Sequence, residues 1–254
     1  MKVLGIVAEY NPLHNGHLYH INKAKQETGA DAVIVALSGD YVQRGELAVT
    51  NKWVRAESAI KNGIDAVFEI PVYACLGNAS VYASTAIKLL AATGIIDVIS
   101  FGSESGNLKE LTDIVYNLND VRISERISEL SKEGCSYPRA REIAYEELFG
   151  CNSHEALRRP NDTLAIEYIK TQLSLKNSNL ALHTVKRESS GYSAAFDNRM
   201  RFQSASGIRQ AIRDKVDVSD FMPEDSFRYM ISNSAIIRDK IDDNLFNLVR
   251  YALL

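Results

Sequence analysis

Four short apolar runs rich in β-branched residues, each followed by a stretch of helical spacing, constrain this chain more than any other feature. Val3 to Ala8 is the first, ending at Glu9-Tyr10, and "DAVIVALSG" (31–39) is the second, closed by Ser38-Gly39. "IDAVFEIP" (64–71) is the third, because Pro71 cannot continue a ladder, and "IIDVISFGSE" (95–104) is the fourth. Between them, Leu18, Ile21, Ala24 and Lys25 share a helical face before Gly29, "KWVRAESAIKN" (52–62) stops at Gly63, and a helix over 79–92 stops at Gly94. Continuous apolar strands alternating with helices require parallel pairing with crossovers on both faces. The expected fold is α/β, a Rossmann-like parallel sheet.

From about 107 to 175 the pattern turns mostly helical and more charged. "NDVRISERISELSKEGCSYPRAREIAYEELF" reads as two amphipathic helices broken at Gly134 and Pro138, and "RPNDTLAIEYIKTQL" starts another, capped by Asn161 or Asp162. "NLALHTVKR" (179–187) returns to strand character, "SASGIRQAIRDK" (204–215) opens a Ser-capped helix, and 225–254 reads as small helices, ending at "NLVRYALL" with no stop signal. Residues 1–215 are therefore expected to form one unit with 107–175 as a helical insertion, and 216–254 to begin a helical C-terminal region. With 254 residues, 46% hydrophobic and 24% charged, the chain can bury a sizeable core. A formal net charge of −3 excludes a generally basic nucleic-acid coat, so a polyanion would need a local patch. Cys75, Cys135 and Cys151 form neither a disulfide ladder nor a metal knuckle, and no apolar run is long enough for a signal peptide or a membrane span. A cytoplasmic protein is expected.

The chemistry concentrates in "NPLHNGHLYH" (11–20), which holds His14, His17 and His20 out of five histidines in the chain. It lies in the turn from the first strand into the first helix, where open parallel sheets collect ligands. A helix N-terminus there offers unpaired N–H groups to an anion, and Gly16 lets a phosphate approach the backbone. His14 and His17 could donate ring N–H bonds to phosphate oxygens as charge develops. Zinc is the rival reading, since His17 and His20 are three apart, but no Cys or acidic pattern accompanies them.

Other segments fall at the same sheet edge. "SGDYVQRGELA" (38–48) offers Asp40, Gln43, Arg44 and Gly45, either to a second substrate or simply to solvent. "FGSESG" (101–106) puts Gly102 and Ser103 where a purine or ribose could lie. "SASGIR" (204–209) converges Ser204, Ser206 and Arg209 on a helix start, a second phosphate site or an ordinary cap. Lys186, Arg187, Arg199, Arg201, Arg209 and Arg213, against Glu188 and Asp197, make the only basic stretch suited to nucleic acid, with Arg158-Arg159 upstream.

A strand, H-x-G-H at a helix start and a late Ser-rich turn with Arg resemble the HIGH-type nucleotidyltransferase superfamily. The chain is most similar to the tRNA(Met) cytidine acetate ligase family. "VAEYNPLHNGHLYH", "SGDYVQRGE", "NKW-R", "FGSESG", "SYPRA", "RPND" and "SASGIR" stand in that family's order, from residue 2 to about 215. The resemblance implies joining acetate to ATP as acetyladenylate, then acetylation of N4 of the wobble cytidine in elongator tRNA(Met). It implies ATP contacts at Val7, Glu9, Tyr10, Asn11, Gly16, His20, Gly102, Asn161, Arg187, Glu188, Ser204 and Ser206, with His14, His17 and Arg209 catalytic. It implies no dedicated metal ligands, Mg²⁺ arriving with ATP. At Glu188 the contact would run through backbone. Members of that family continue past the equivalent of Leu254. A small-molecule adenylyltransferase of the same superfamily and an ATP- or tRNA-binding module without the second half-reaction remain the alternatives.

Overall fold

The computed structural model describes residues 1–43, 45–150, 155–175, 179–188, 196, 199–232 and 250–251. Its strands are β1 (Val3–Ala8), β2 (Ala32–Ser38), β3 (Ala66–Ile70), β4 (Val98–Ser103) and β5 (Ala181–Lys186). All pair in parallel in the order β3-β2-β1-β4-β5, so the chain reverses direction across the sheet beside β1. The helices are α1 (Asn15–Thr28), α2 (Lys52–Lys61), α3 (Val72–Cys75), α4 (Ala79–Ala92), α5 (Leu108–Leu118), α6 (Val121–Lys132), α7 (Tyr137–Phe149), α8 (Glu155–Arg158), α9 (Pro160–Ser174), α10 (Ala205–Arg213) and α11 (Glu224–Ser232).

Strand starts are set by one repeated device. The carboxylates of Asp31, Asp97 and Asp65 accept from the backbone N–H of Lys2, Val3 and Val33, each at 2.7 Å. This trims the third and fourth strands from the expected 64–71 and 95–104, because Asp65 and Asp97 turn their side chains to the neighbouring strand. Period-two alternation then splits the core. Leu4, Ile6, Val33, Val35, Leu37 and Val98 pack with Ile21 and Ala24 of α1 and Ala59 of α2. Val3, Ile34, Ala36, Ile99 and Phe101 face α4, α5 and α9 on the other side. Helices thus cover both faces, as the alternation of elements required.

Two expectations are corrected. The α9 cap is Arg159, not Asn161 or Asp162: Pro160 takes the first helical position, where its missing N–H costs nothing, and pushes both residues into the first turn. Pro138 does not break a helix but sits in the opening turn of α7. The Ser204 cap of α10 holds, with its Oγ accepting from the Gly207 N–H at 3.0 Å. α10 and α11 share a small core of Ile208, Ala211, Val218, Met222 and Met230. α11 leans on α2, where Tyr229 donates to Glu57 at 2.6 Å. Arg44, Cys151, Asp197 and most of the helices expected beyond Ser232 lie outside the described residues.

Candidate active site

β1 ends in the middle of the sheet, and the chain must turn there into α1. Tyr10 adopts a left-handed φ of +45°, and Asn11–Pro12 is cis. A tyrosine in that region is strained, a feature common where structure is held for function. Three anchors hold the turn. Asn11 Oδ1 accepts from the Val49 N–H at 2.7 Å. Arg209 of α10 donates from Nη1 to the Asn11 carbonyl at 2.8 Å. Arg55 of α2, buried, donates to the carbonyls of Glu9 (2.6 Å), Thr50 (3.2 Å) and Gly39.

His14 is the N-cap of α1. The Gly16 N–H donates to His14 Nδ1 (3.1 Å), and the His14 N–H donates to His17 Nδ1 (3.3 Å), a reciprocal cap built from two histidines. Their rings stack at 3.7 Å, and Tyr10 meets His17 edge-on at 5.0 Å. A Cβ at Gly16 would lie 2.9 Å from His14 Cε1. The glycine is therefore needed for the imidazole cap itself, beyond any approach of a ligand. Both Nδ1 atoms accept, so both rings carry their proton on Nε2. His14 Nε2 is buried with no hydrogen-bond partner, an uncommon state for a native donor. Burial, reinforced by the Arg187 charge, lowers the His14 pKa to about 3; burial and then the neighbouring His14 hold His17 well below its ordinary value. His20 is lowered to about 3 by burial and Arg187.

These residues line one cleft of about 430 Å³ at the carboxyl ends of the strands. All but Ser103 of the residues expected to meet nucleotide border it: Val7, Glu9, Tyr10, Asn11, His14, Gly16, His17 and His20 from the first turn and α1, Gly102 from β4, Asn161 from α9, Arg187 and Glu188 after β5, and Ser204, Ser206 and Arg209 at the start of α10. The volume suits a nucleotide-sized ligand. Two helix starts, those of α1 and α10, face into it. Glu9 is pushed up by burial, against the Gln43 N–H that donates to its Oε1 at 3.0 Å.

Several of these side chains already have protein partners. The Glu188 side chain is engaged: Tyr19 donates to its Oε1 at 2.5 Å, and Lys23 donates to Tyr19 at 2.9 Å. Asn161 gives its side-chain amide to Glu104 at 2.6 Å. Ser103 is buried, bonded to Thr184 and to the Gly106 N–H, and does not border the cleft. Arg158 and Arg159 pair with Glu142 and Glu155. Sequence reasoning gave Arg55, Ser100 and His183 no role. Ser100 could have been noticed as a hydroxyl flanked by apolar residues within a strand. Among the described residues no group of three or more His, Cys, Asp or Glu side chains is placed to hold a metal ion, and no helix is long and apolar enough to cross a membrane.

Comparison with known proteins bears on this cleft. The family model described as HIGH Nucleotidyl Transferase matches residues 1–254. A protein of Clostridium novyi named tRNA(Met) cytidine acetate ligase is 36% identical over 266 residues, covering 100% of this chain and 65% of the relative. A Thermoanaerobacter protein of the same name is 43% identical over 218 residues, covering 85% of this chain and 54% of the relative. The apo crystal structure of Thermotoga maritima TmcAL superposes with a TM-score of 0.85 at 39% identity, covering 91% of this chain and 56% of that one. A second crystal structure of that protein, bound with alpha-thio ATP, gives a TM-score of 0.81. The chain thus spans between about half and two-thirds of the length of these relatives.

Proposed function

The chain belongs to the HIGH nucleotidyl transferase family, and on that premise we propose that it is an ATP-dependent ligase. It activates acetate as acetyladenylate and transfers the acetyl group to N4 of the wobble cytidine of elongator tRNA(Met). The observation that carries this reading is the pair of stacked, neutral histidines at the α1 start, with the His14 Nε2–H buried and unpartnered beside the cleft. An anionic oxygen satisfies that donor, and the helix end adds its own partial positive charge. The names of the relatives and the ATP analogue bound to the Thermotoga protein support it further.

In the first step an acetate oxygen attacks the α-phosphorus and pyrophosphate leaves. His14 and His17 donate to the phosphate oxygens, the starts of α1 and α10 face them with their partial positive charge, and Arg209 adds charge. Arg209 already sits 3.5 Å from Glu46, so that carboxylate competes with the nucleotide for it. Positioning and fixed dipoles supply most of the rate. Val7, Glu9, Tyr10, Asn11, Gly16, His20, Gly102, Asn161, Arg187, Glu188, Ser204 and Ser206 shape the nucleotide pocket. The donor set at the phosphate end is imidazole and hydroxyl rather than carboxylate, so Mg²⁺ enters on the triphosphate and needs no protein cage. The tRNA meets the basic stretch of Lys186, Arg187, Arg199, Arg201, Arg209 and Arg213. Residues 1–215 form the transferase unit, 216–254 begin a helical region, and the protein works in the cytoplasm.

Acetate-dependent exchange of labelled pyrophosphate into ATP is the direct test. The full chain should exchange only when acetate is present. Exchange without acetate, or with a phosphate ester in its place, would move the assignment to a small-molecule adenylyltransferase; ATP binding with no exchange would leave a binding module.

A further inference from the structure

The third histidine of the cleft is bonded the opposite way from the other two. His14 and His17 use Nδ1 to accept from backbone and offer Nε2–H. His20 engages Nε2, which lies 2.9 Å from Ser100 Oγ; Ser100 Oγ lies 3.1 Å from His183 Nδ1, and His183 Nε2 lies 3.0 Å from Glu27 Oε2. The β4–β5 register sets Ser100 beside His183, and α1 supplies both ends of the chain of contacts. An ionised carboxylate only accepts, so Glu27 sets every direction. His183 donates from Nε2 to Glu27, Ser100 donates to His183 Nδ1, and His20 donates from Nε2 to Ser100. His20 Nδ1 is left as a bare lone pair on a residue that borders the cleft. Besides Ser100, the groups that face His20 are His17 on its own helix, His183 on β5 and the Arg187 guanidinium after it.

A lone pair has no task in joining acetate to ATP, because a carboxylate attacks phosphorus and no proton moves. Acetyl transfer is different: an amine becomes an amide and releases one. The geometry points to His20 Nδ1 as the base that takes this proton, with Ser100, His183 and Glu27 as a relay to the surface; this rests on the acetyladenylate reading. The amine nitrogen bonds to the acetyl carbon, the bond from that carbon to the phosphate oxygen breaks, and AMP leaves with the electron pair. The amine proton goes to His20 Nδ1, the Nε2 proton to Ser100, and the Ser100 proton to His183 Nδ1. His20 ends neutral, and His183 ends as an imidazolium paired with Glu27. Positive charge therefore rests on a partly exposed histidine beside a carboxylate, away from Arg187, and solvent removes the proton.

Two measurements on the full chain test this. The first compares acetate-dependent pyrophosphate exchange with single-turnover acetyl transfer to an elongator tRNA(Met) transcript. General-base help is worth roughly 10²–10⁴-fold, so His20→Ala, which lowers exchange as well because His20 lines the nucleotide pocket, should lower transfer at least about a hundredfold further than exchange. Glu27→Gln and Ser100→Ala should lower the ratio of transfer to exchange about tenfold, on the order of a partial loss of that help, and shift the acid side of the transfer pH profile. Ser100→Thr, which keeps the hydroxyl, should recover most of the ratio. Parallel loss of both half-reactions, or an unchanged ratio, would overturn the proposal. The second measurement is the ring ¹⁵N spectrum of the histidines across pH. His20 and His183 should change tautomer and charge in step, with the coupling lost in Ser100→Ala; independent behaviour would overturn the relay. If the unsubstituted chain shows no acetate-dependent exchange while the two rings move together, the ligase reading fails and the relay stands.

Discussion

Of the helix starts that border the cleft, those of α9 and α1 are filled in opposite ways. At α9 the chain supplies its own anion: Glu104 accepts from the Asn161 N–H (3.2 Å), the Asn161 side-chain amide (2.6 Å) and the Asp162 N–H (2.8 Å). At α1 there is no acidic residue in the first turn, and the cap is made by imidazoles that offer further N–H groups outward. Both ends carry the same backbone donors and the same partial charge. What separates an anion site from an ordinary helix end is whether the fold has already placed a carboxylate there. At α1 no carboxylate has been placed, and His14 with His17 stacked on it caps the helix at neutral charge.

Removing a donor from the open end should have the largest effect. His17→Ala is expected to lower pyrophosphate exchange about 10²–10³-fold, as losing one preorganised donor does, while stability falls by no more than about 1 kcal/mol for the lost cap contact. If exchange and melting temperature were both retained, the two ends would be equivalent and the comparison would collapse. Acid provides the next test. The folded His14 pKa is about 3, below its ordinary 6.5, so from pH 6.5 downward the unfolded chain takes a proton that the folded chain refuses. Stability should therefore fall with decreasing pH through that window, by about 2 kcal/mol at pH 5 from His14 alone. His14→Asn keeps a capping oxygen and removes the imidazole, so urea unfolding at pH 7 and pH 5 should show a correspondingly smaller difference.

Gly16→Ala sharpens the comparison at smaller scale. The new Cβ displaces the His14 ring, and exchange should fall about tenfold, equivalent to about 1.4 kcal/mol in the barrier. The melting temperature should change little, because alanine is the better helix former and offsets part of the disruption. The smallest effect belongs to the filled end. Glu104→Gln removes the charge at α9 and should cost about 1 kcal/mol of stability, with exchange within about threefold of the unsubstituted chain. A loss of exchange larger than that of His17→Ala would reverse the assignment of the two ends.

The open end was legible in the sequence because its parts are consecutive: a cap, a glycine and two imidazoles within a few residues of a strand. The first four strands were legible for the same reason, since each is a mostly apolar run; β5, with His183, Thr184 and Lys186, showed only strand character. The filled end was misread by two or three positions, although Pro160 carried the signal that fixes the helix start. Arg55 was visible only as the last residue of "NKW-R", with no role attached, because its meaning lies in the carbonyls of Glu9, Gly39 and Thr50. Ser100 and His183 were opaque until strand register placed them side by side, and Glu27 looked like any exposed helix acid. Local chemistry can be read along a chain; chemistry assembled by pairing cannot.

The bond from Arg209 to the Asn11 carbonyl spans 198 residues, and it has a consequence for how the molecule comes into being. Contacts between distant parts of a chain form late, because the intervening segment must first be ordered. On the ribosome the histidine turn leaves the exit tunnel early, and all five strands have followed it by the time Lys186 is out. The wall of the cleft carried by α10 has yet to be made. A nascent chain therefore has a sheet and a cap before it has an enclosed cavity. Completion of the cavity is timed by the last of its walls to arrive, which makes α10 the latch of assembly as well as a wall of the site.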